Sequence, residues 1–235
     1  MAFSGSAKQS GSPYLFKSGP YSSHRLLLGQ MAAPGEGRRV LDVGGGEGYL
    51  SRLLRERGYR VVCLAAPGRV AAGFPQGVEV IEADLDEESP PFPEPFSFIV
   101  CGDVLEHLRD PGKTLRWLRS NLAPGGRLVA SLPNSGHWYF RWTVLRGRFP
   151  AEDRGLFDAT HLHFYTWDGW RHLLQGANLE ITAVAPTAVP FGLALNLDAG
   201  HIAVRTLERL SYELGRLWKT MFAYQFVVVA RRAGD

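Results

Sequence analysis

Between about Arg38 and Leu132, short and almost wholly apolar runs alternate with segments whose apolar residues recur every three or four positions. RRVLDV (38–43), YRVVCLA (59–65), VEVIEA (78–83), FSFIVCG (96–102) and GRLVASLP (126–133) read as strands, apolar nearly throughout as strands buried on both faces must be. GYLSRLLRERG reads as a helix stopped at Gly58. DPGKTLRWLRSNLAPGG reads as another, with Leu115, Leu118 and Leu122 on one face and a stop at Pro124, Gly125 and Gly126. Ahead of these, SSHRLLLGQM can form a short helix capped by Ser22 or Ser23. The alternation predicts an α/β fold in which helices cover a parallel sheet.

After Pro133 the pattern breaks. The aromatic and arginine-rich stretch up to Thr166 is too long for a simple connection and is expected to be a substrate-side insertion, 133–166. WDGWRHLLQGANLEITAVAP then gives a helix and a strand, and AYQFVVVARR a last strand. Between them, GHIAVRTLERLSYELGRLWKTM is amphipathic, with Val204, Leu207, Leu210, Leu214, Leu217 and Met221 on one side and Arg205, Arg209, Arg216 and Lys219 on another. Its basic face would suit a membrane surface, but a helix packed on the sheet is the stronger expectation. The organisation is a single domain, 23–235, behind a flexible Ser-, Gly- and Pro-rich arm, 1–22.

Composition narrows the partners. With 45% hydrophobic and 21% charged residues the chain is ordinary for a globular protein, and no apolar run approaches the roughly 20 residues that span a bilayer. The arm has no continuous apolar core and so does not resemble a secretory signal, which points to the cytoplasm. A net charge of +3 spread along the chain gives no basic stripe, so nucleic acid is not an expected partner. Cys63 and Cys101 both lie in apolar strands and read as buried thiols rather than a disulfide or metal pair. Nothing in the sequence sets the oligomeric state.

Gly44, Gly46 and Gly48 follow Asp42 at the end of the first strand and open a helix, a layout in which backbone N–H groups approach a ligand closely. A dinucleotide fingerprint would need its third glycine where Tyr49 stands, which disfavours nicotinamide. Asp84 after the third strand and GDVLEHL after the fourth put polar groups at successive carboxyl ends, where open α/β sheets bind ligands.

VLDVGGGEGYL, EADL, FIVCGDVLEHLRDP and LAPGGRLVASLPN together resemble the class I S-adenosylmethionine-dependent methyltransferases. The likeness is to their small-molecule branch, which includes the ubiquinone-pathway O-methyltransferases and uncharacterised bacterial relatives. It covers roughly Arg38 to Asn134, and more weakly the insertion and FAYQFVVVAR. The resemblance implies a Rossmann-like, doubly wound, seven-stranded sheet, mostly parallel with the last strand antiparallel. It implies S-adenosylmethionine as cofactor and a small-molecule acceptor. In this reading Asp42 orients the turn and Gly44 to Gly48 face the amino-acid portion of the cofactor. Asp84 and Leu85 meet adenine, Cys101 and Gly102 line the floor, and His107 stands at the rim; Asp84 as a loop cap and His107 as a packing residue are the rival readings.

One departure stands out. Ala65 occupies the position where the family usually carries Asp or Glu for the ribose hydroxyls. Losing that acceptor costs on the order of 1 to 3 kcal/mol, a factor of about 5 to 150 in affinity; Glu47 or water is a candidate substitute. For a general base the insertion offers His137, Asp158, His161 and His163, and the favoured arrangement is His161 as base with Asp158 orienting it. His161 and His163 would share a face of an extended segment, but without a third ligand no metal is expected. Arg141, Arg146, Arg148 and Arg154 would suit an anionic acceptor or a solvated face. Two rival readings are a degenerate cofactor-binding protein, motivated by Ala65, and a membrane- or partner-associated protein using PTAVPFGLALNL and the basic helix.

Overall fold

A computed structural model describes residues 19–31, 33–198 and 200–235. The arm expected over 1–22 therefore lies, apart from its last four residues, outside the described residues.

The helices are α1 (Ser23–Gly29), α2 (Tyr49–Glu56), α3 (Pro111–Ser120), α4 (Trp138–Leu145), α5 (Trp167–Gly176), α6 (Phe191–Leu195), α7 (Ile202–Leu217) and α8 (Lys219–Phe222). The strands are β1 (Arg39–Val43), β2 (Arg60–Ala65), β3 (Glu79–Glu82), β4 (Phe96–Gly102), β5 (Leu122–Pro133), β6 (Leu179–Pro186) and β7 (Gln225–Arg232). They form one seven-stranded sheet in the order β3-β2-β1-β4-β5-β7-β6. β1 to β5 run parallel, and β7 is antiparallel to both its neighbours. The last strand thus enters between β5 and β6 and leaves β6 at the edge.

Period-two alternation fills both faces. Leu41, Val62, Ile99, Leu128 and Val228 share one core with Leu115, Leu118 and Trp170 from α3 and α5. Val40, Val61, Phe98, Val129 and Val229 share the other with Leu27, Leu28 and Leu54 from α1 and α2. Ser22 caps α1, its side chain accepting from Arg25 N–H, and Asp110 caps α3 through Lys113 N–H at 2.8 Å. Gly58, at φ +85°, ends α2 as the sequence requires.

Three expectations are corrected. β3 is an edge strand with mostly exposed residues, so its charged ends need no burial. β5 begins at Leu122, four residues early: the Pro124-Gly125-Gly126 stop is an excursion inside the strand, absorbed by a register shift between the pairs Phe96–Leu122 and Phe98–Arg127. In α7 the buried positions are Val204, Glu208 and Gly215, whereas Leu207, Leu210, Leu214 and Leu217 are exposed. That apolar stripe does not pack on the sheet. Leu207, Leu210 and Leu214 line the large cavity at its carboxyl edge instead. Among the described residues no helix is long and apolar enough to cross a membrane.

Candidate active site

The cavity, about 1550 Å³, opens where β1, β2 and β4 end. After β1 the chain turns through Gly44 at φ +77°, whose N–H donates to Leu64 O at 2.7 Å. A Cβ on Gly44 would run into the Val104 side chain, and one on Gly46 would stand 2.5 Å from Arg69 O. The turn is therefore a cradle that side chains would fill, leaving backbone facing the cavity. Beneath it Asp42, 1% exposed, accepts from Ser51 Oγ at 2.6 Å, and burial pushes its carboxyl up to about 6. Burial pushes the Cys63 thiol up to about 12 and the Cys101 thiol well above its usual value, so neither is a nucleophile.

At the end of β2, Ala65 and Ala66 line the cavity with no polar side chain to offer. Glu82, the register partner of Ala65, turns its Oε2 to Gly68 N–H at 2.6 Å. The β2–β3 loop folds over the glycine turn, with Ala71 N–H donating to Gly46 O at 2.9 Å. Glu47, Asp84 and Leu85 line the same cavity, and Asp84 Oδ1 also caps its loop through Asp86 N–H. Gly102 is part of the wall, whereas Cys101 is fully buried in the core.

The opposite wall carries the titratable groups. Asp103 holds a left-handed backbone at φ +54°, and its Oδ1 accepts from Ser131 Oγ at 2.5 Å and Gln225 Nε2 at 2.9 Å. A 3-10 turn, Leu105–His107, follows. Glu106, 1% exposed, pins the insertion through its carbonyl, which accepts from Leu162 and His163 N–H. That contact sets His161 Nε2 3.9 Å from Glu106 Oε1, and the His161 ring 4.8 Å from that of His107. Burial, and then the neighbouring His107, lower His161 to about 4, so it is neutral near pH 7 and able to accept a proton. The Asp158 carboxylate does not bond the His161 ring: its Oδ1 takes the Thr160 N–H and hydroxyl, that hydroxyl is 3.1 Å from His107 Nδ1, and Asp158 meets His161 only through its carbonyl, which accepts from His161 N–H at 3.1 Å.

His161 and His163 diverge, His163 reaching Leu108 O and stacking on Tyr165. His161 instead joins Glu106 and His107, whose ligand atoms lie within 4.8 Å of one another and could hold a cation. His137 caps α4, its Nδ1 accepting from Tyr139 N–H, and burial lowers it to about 4. Of the four arginines, Arg154 lines the cavity, Arg141 binds Gly136 O and Arg146 lies over Trp142.

A family profile described as "Methyltransferase domain" matches residues 20–184, more than half of the chain. The chain belongs to the class I S-adenosylmethionine-dependent methyltransferases. The methyltransferase is 33% identical over 180 residues to a ubiquinone biosynthesis O-methyltransferase of Aeromonas salmonicida, covering 71% of this chain and 75% of the relative. It is 31% identical over 182 residues to one of Caulobacter, covering 74% and 69%. The match to that of Xylella fastidiosa, 38% identical over 112 residues, spans 43% of this chain and less than half of the relative. A methyltransferase structure from Mesorhizobium loti superimposes with a TM-score of 0.63 at 22% identity, covering 90% of this chain and 98% of that one. One from Archaeoglobus fulgidus gives 0.61 at 18%, covering 89% and 92%, and both show the same fold.

The methyltransferase cradle fits S-adenosylmethionine in that a glycine turn with no room for side chains exposes backbone to the cavity, and the end of β2 brings no carboxylate beside it. No sequence pattern marks Asp103, Glu106, Tyr224 or Gln225 individually: the first two lie within GDVLEHL and the last two within FAYQFVVVAR, and only the antiparallel insertion of β7 brings Tyr224 and Gln225 to the cavity.

Proposed function

We propose that this methyltransferase transfers a methyl group to a hydroxyl of an amphipathic small molecule, with His161 accepting the hydroxyl proton. The observation that carries the reading is the His161 side chain, 7% exposed and with its Nε2 3.9 Å from Glu106 Oε1, on the wall of a cavity that Leu207, Leu210 and Leu214 also line. When bound, S-adenosylmethionine supplies a methyl group activated on a sulfonium, so the protein's task is to hold the acceptor oxygen in line and take its proton. The charges of Asp158 and Asp103 favour protonation of His161 and so support the imidazolium that forms. The Leu207, Leu210 and Leu214 stripe receives the apolar part of the acceptor, and Trp138 and Tyr139 line the same cavity. Similarity to ubiquinone biosynthesis O-methyltransferases supports an oxygen acceptor.

The test is transfer of labelled methyl from S-adenosylmethionine into cell extracts fractionated by polarity. Label is expected in moderately apolar fractions with the native enzyme and not with His161→Gln. Cofactor binding without label in any fraction would overturn the catalytic reading.

A further inference from the structure

Beside the main cavity lies a side pocket of about 290 Å³, and the two share Val189, Pro190, Leu193, Tyr224 and Gln225 as walls. The two cavities therefore adjoin along these residues. The side pocket mixes apolar walls, among them Ala188, Val189, Pro190, Leu193 and Leu197, with polar groups such as Thr187 and Gln225. At one corner Glu208 of α7, 7% exposed, receives a hydrogen bond from the Gly192 backbone and forms no ion pair among the described residues. Ser23, a residue 1% exposed, also belongs to the lining, and its hydroxyl is buried without a hydrogen-bond partner among the described residues. Asp198 adds a second carboxylate, and no lysine or arginine is among the described lining residues. The Tyr21 ring, stacked on Tyr212 at 4.5 Å, also lines the pocket and offers a π face. Gly19 closes that corner so tightly that a Cβ would stand 2.9 Å from Glu208 Oε2.

We propose that this side pocket is a second acceptor subsite that binds a protonated amine against Glu208, with the Ser23 hydroxyl as a further acceptor. A carboxylate withdrawn from water and left without a counter-ion is costly, and a buried hydroxyl without a partner adds to that cost. An ammonium group satisfies both, since its N–H donors can reach the carboxylate, the hydroxyl oxygen and the Tyr21 face together. A neutral group of the same size meets the apolar walls but leaves the carboxylate uncompensated. The proposal rests on reading the large cavity as the acceptor site, and it adds that the natural acceptor carries an amino group as well as a hydroxyl.

The experiment uses the full chain, labelled with ¹⁵N and saturated with S-adenosylhomocysteine, titrated at constant ionic strength with n-butylammonium chloride and separately with 1-butanol. The amine is expected to shift the amides of Ala188, Gly192 and Glu208 and to bind at least fivefold more tightly than the alcohol. Glu208→Gln is expected to abolish that preference. Should that variant not fold, Gly19→Ala narrows the same corner from a surface turn and is expected to weaken amine binding. Equal binding of amine and alcohol, a preference that survives Glu208→Gln, or shifts confined to residues outside the side pocket would overturn the proposal. Because the titration reads occupancy rather than turnover, a catalytically silent protein that still prefers the amine counts against the proposed reaction and not against the subsite.

Discussion

Replacing Asp42 with Asn separates what this carboxylate costs from what it does. In the folded protein its carboxyl titrates at about 6 rather than 3.8, because burial outweighs the hydrogen bond from Ser51. An acid with a raised folded value takes up a proton on folding, so its favourable contribution is present in acid and lost as pH rises through about 6. At about 1.36 kcal/mol per unit, the gap of roughly two units corresponds to about 3 kcal/mol of stability given up above neutrality. Asn keeps an oxygen that can accept from Ser51 but has no charge to desolvate. Urea unfolding of the cofactor-free proteins at about pH 5 and pH 7.5 measures the difference. The advantage of Asp42→Asn should grow by about 1.5 kcal/mol between those values. A difference that does not change with pH would refute the reasoning. Affinity for S-adenosylhomocysteine, measured by calorimetry, should move the other way, since the variant removes negative charge beneath the cradle.

His161→Gln should lower turnover about 10²- to 10⁴-fold while leaving cofactor affinity within about twofold, read by single-turnover kinetics beside calorimetry. The native rate should hold down to the region of pH 4, where protonation fills the acceptor nitrogen of His161 and activity is lost. Ala65→Asp restores an acceptor at the ribose and should tighten cofactor binding by about 5- to 150-fold, measured by calorimetry; unchanged or weaker binding would mean that the ribose is already held by another group such as Glu47. Gly44→Ala puts a side chain against Val104 at a left-handed φ, so it should lower the melting temperature and abolish cofactor binding in a thermal-shift titration.

The strand, glycine turn and helix that open the cavity could be read because they depend on local order. Strand, glycine turn and helix follow within Arg39 to Glu56, and period-two alternation fixes which residues face each layer. The limits arise where non-local packing decides. The stripe on α7 has a clear helical period, but periodicity cannot distinguish a core from the rim of a cavity, and here that stripe faces the rim. His161 and His163 have the spacing of a pair, yet two backbone bonds to Glu106 O bend the segment and send them apart. Ala65 was visible as a gap, while the loop that closes over the glycine turn through Ala71 and Gly46 was not, since that contact joins residues without a motif between them.

The place of β7 has a consequence for the order in which the protein becomes functional during synthesis. Its antiparallel entry brings Tyr224 and Gln225 to the same sheet edge as residues near position 44. A nascent chain long enough to expose Arg39 to His107 holds every cradle residue, but Asp103 has no Gln225 to hold its carboxylate until translation has passed position 225. The donor half can thus form on the ribosome, while the acceptor half waits for the late strand. Premature release before that strand would leave a product unable to complete the wall on which the acceptor is oriented.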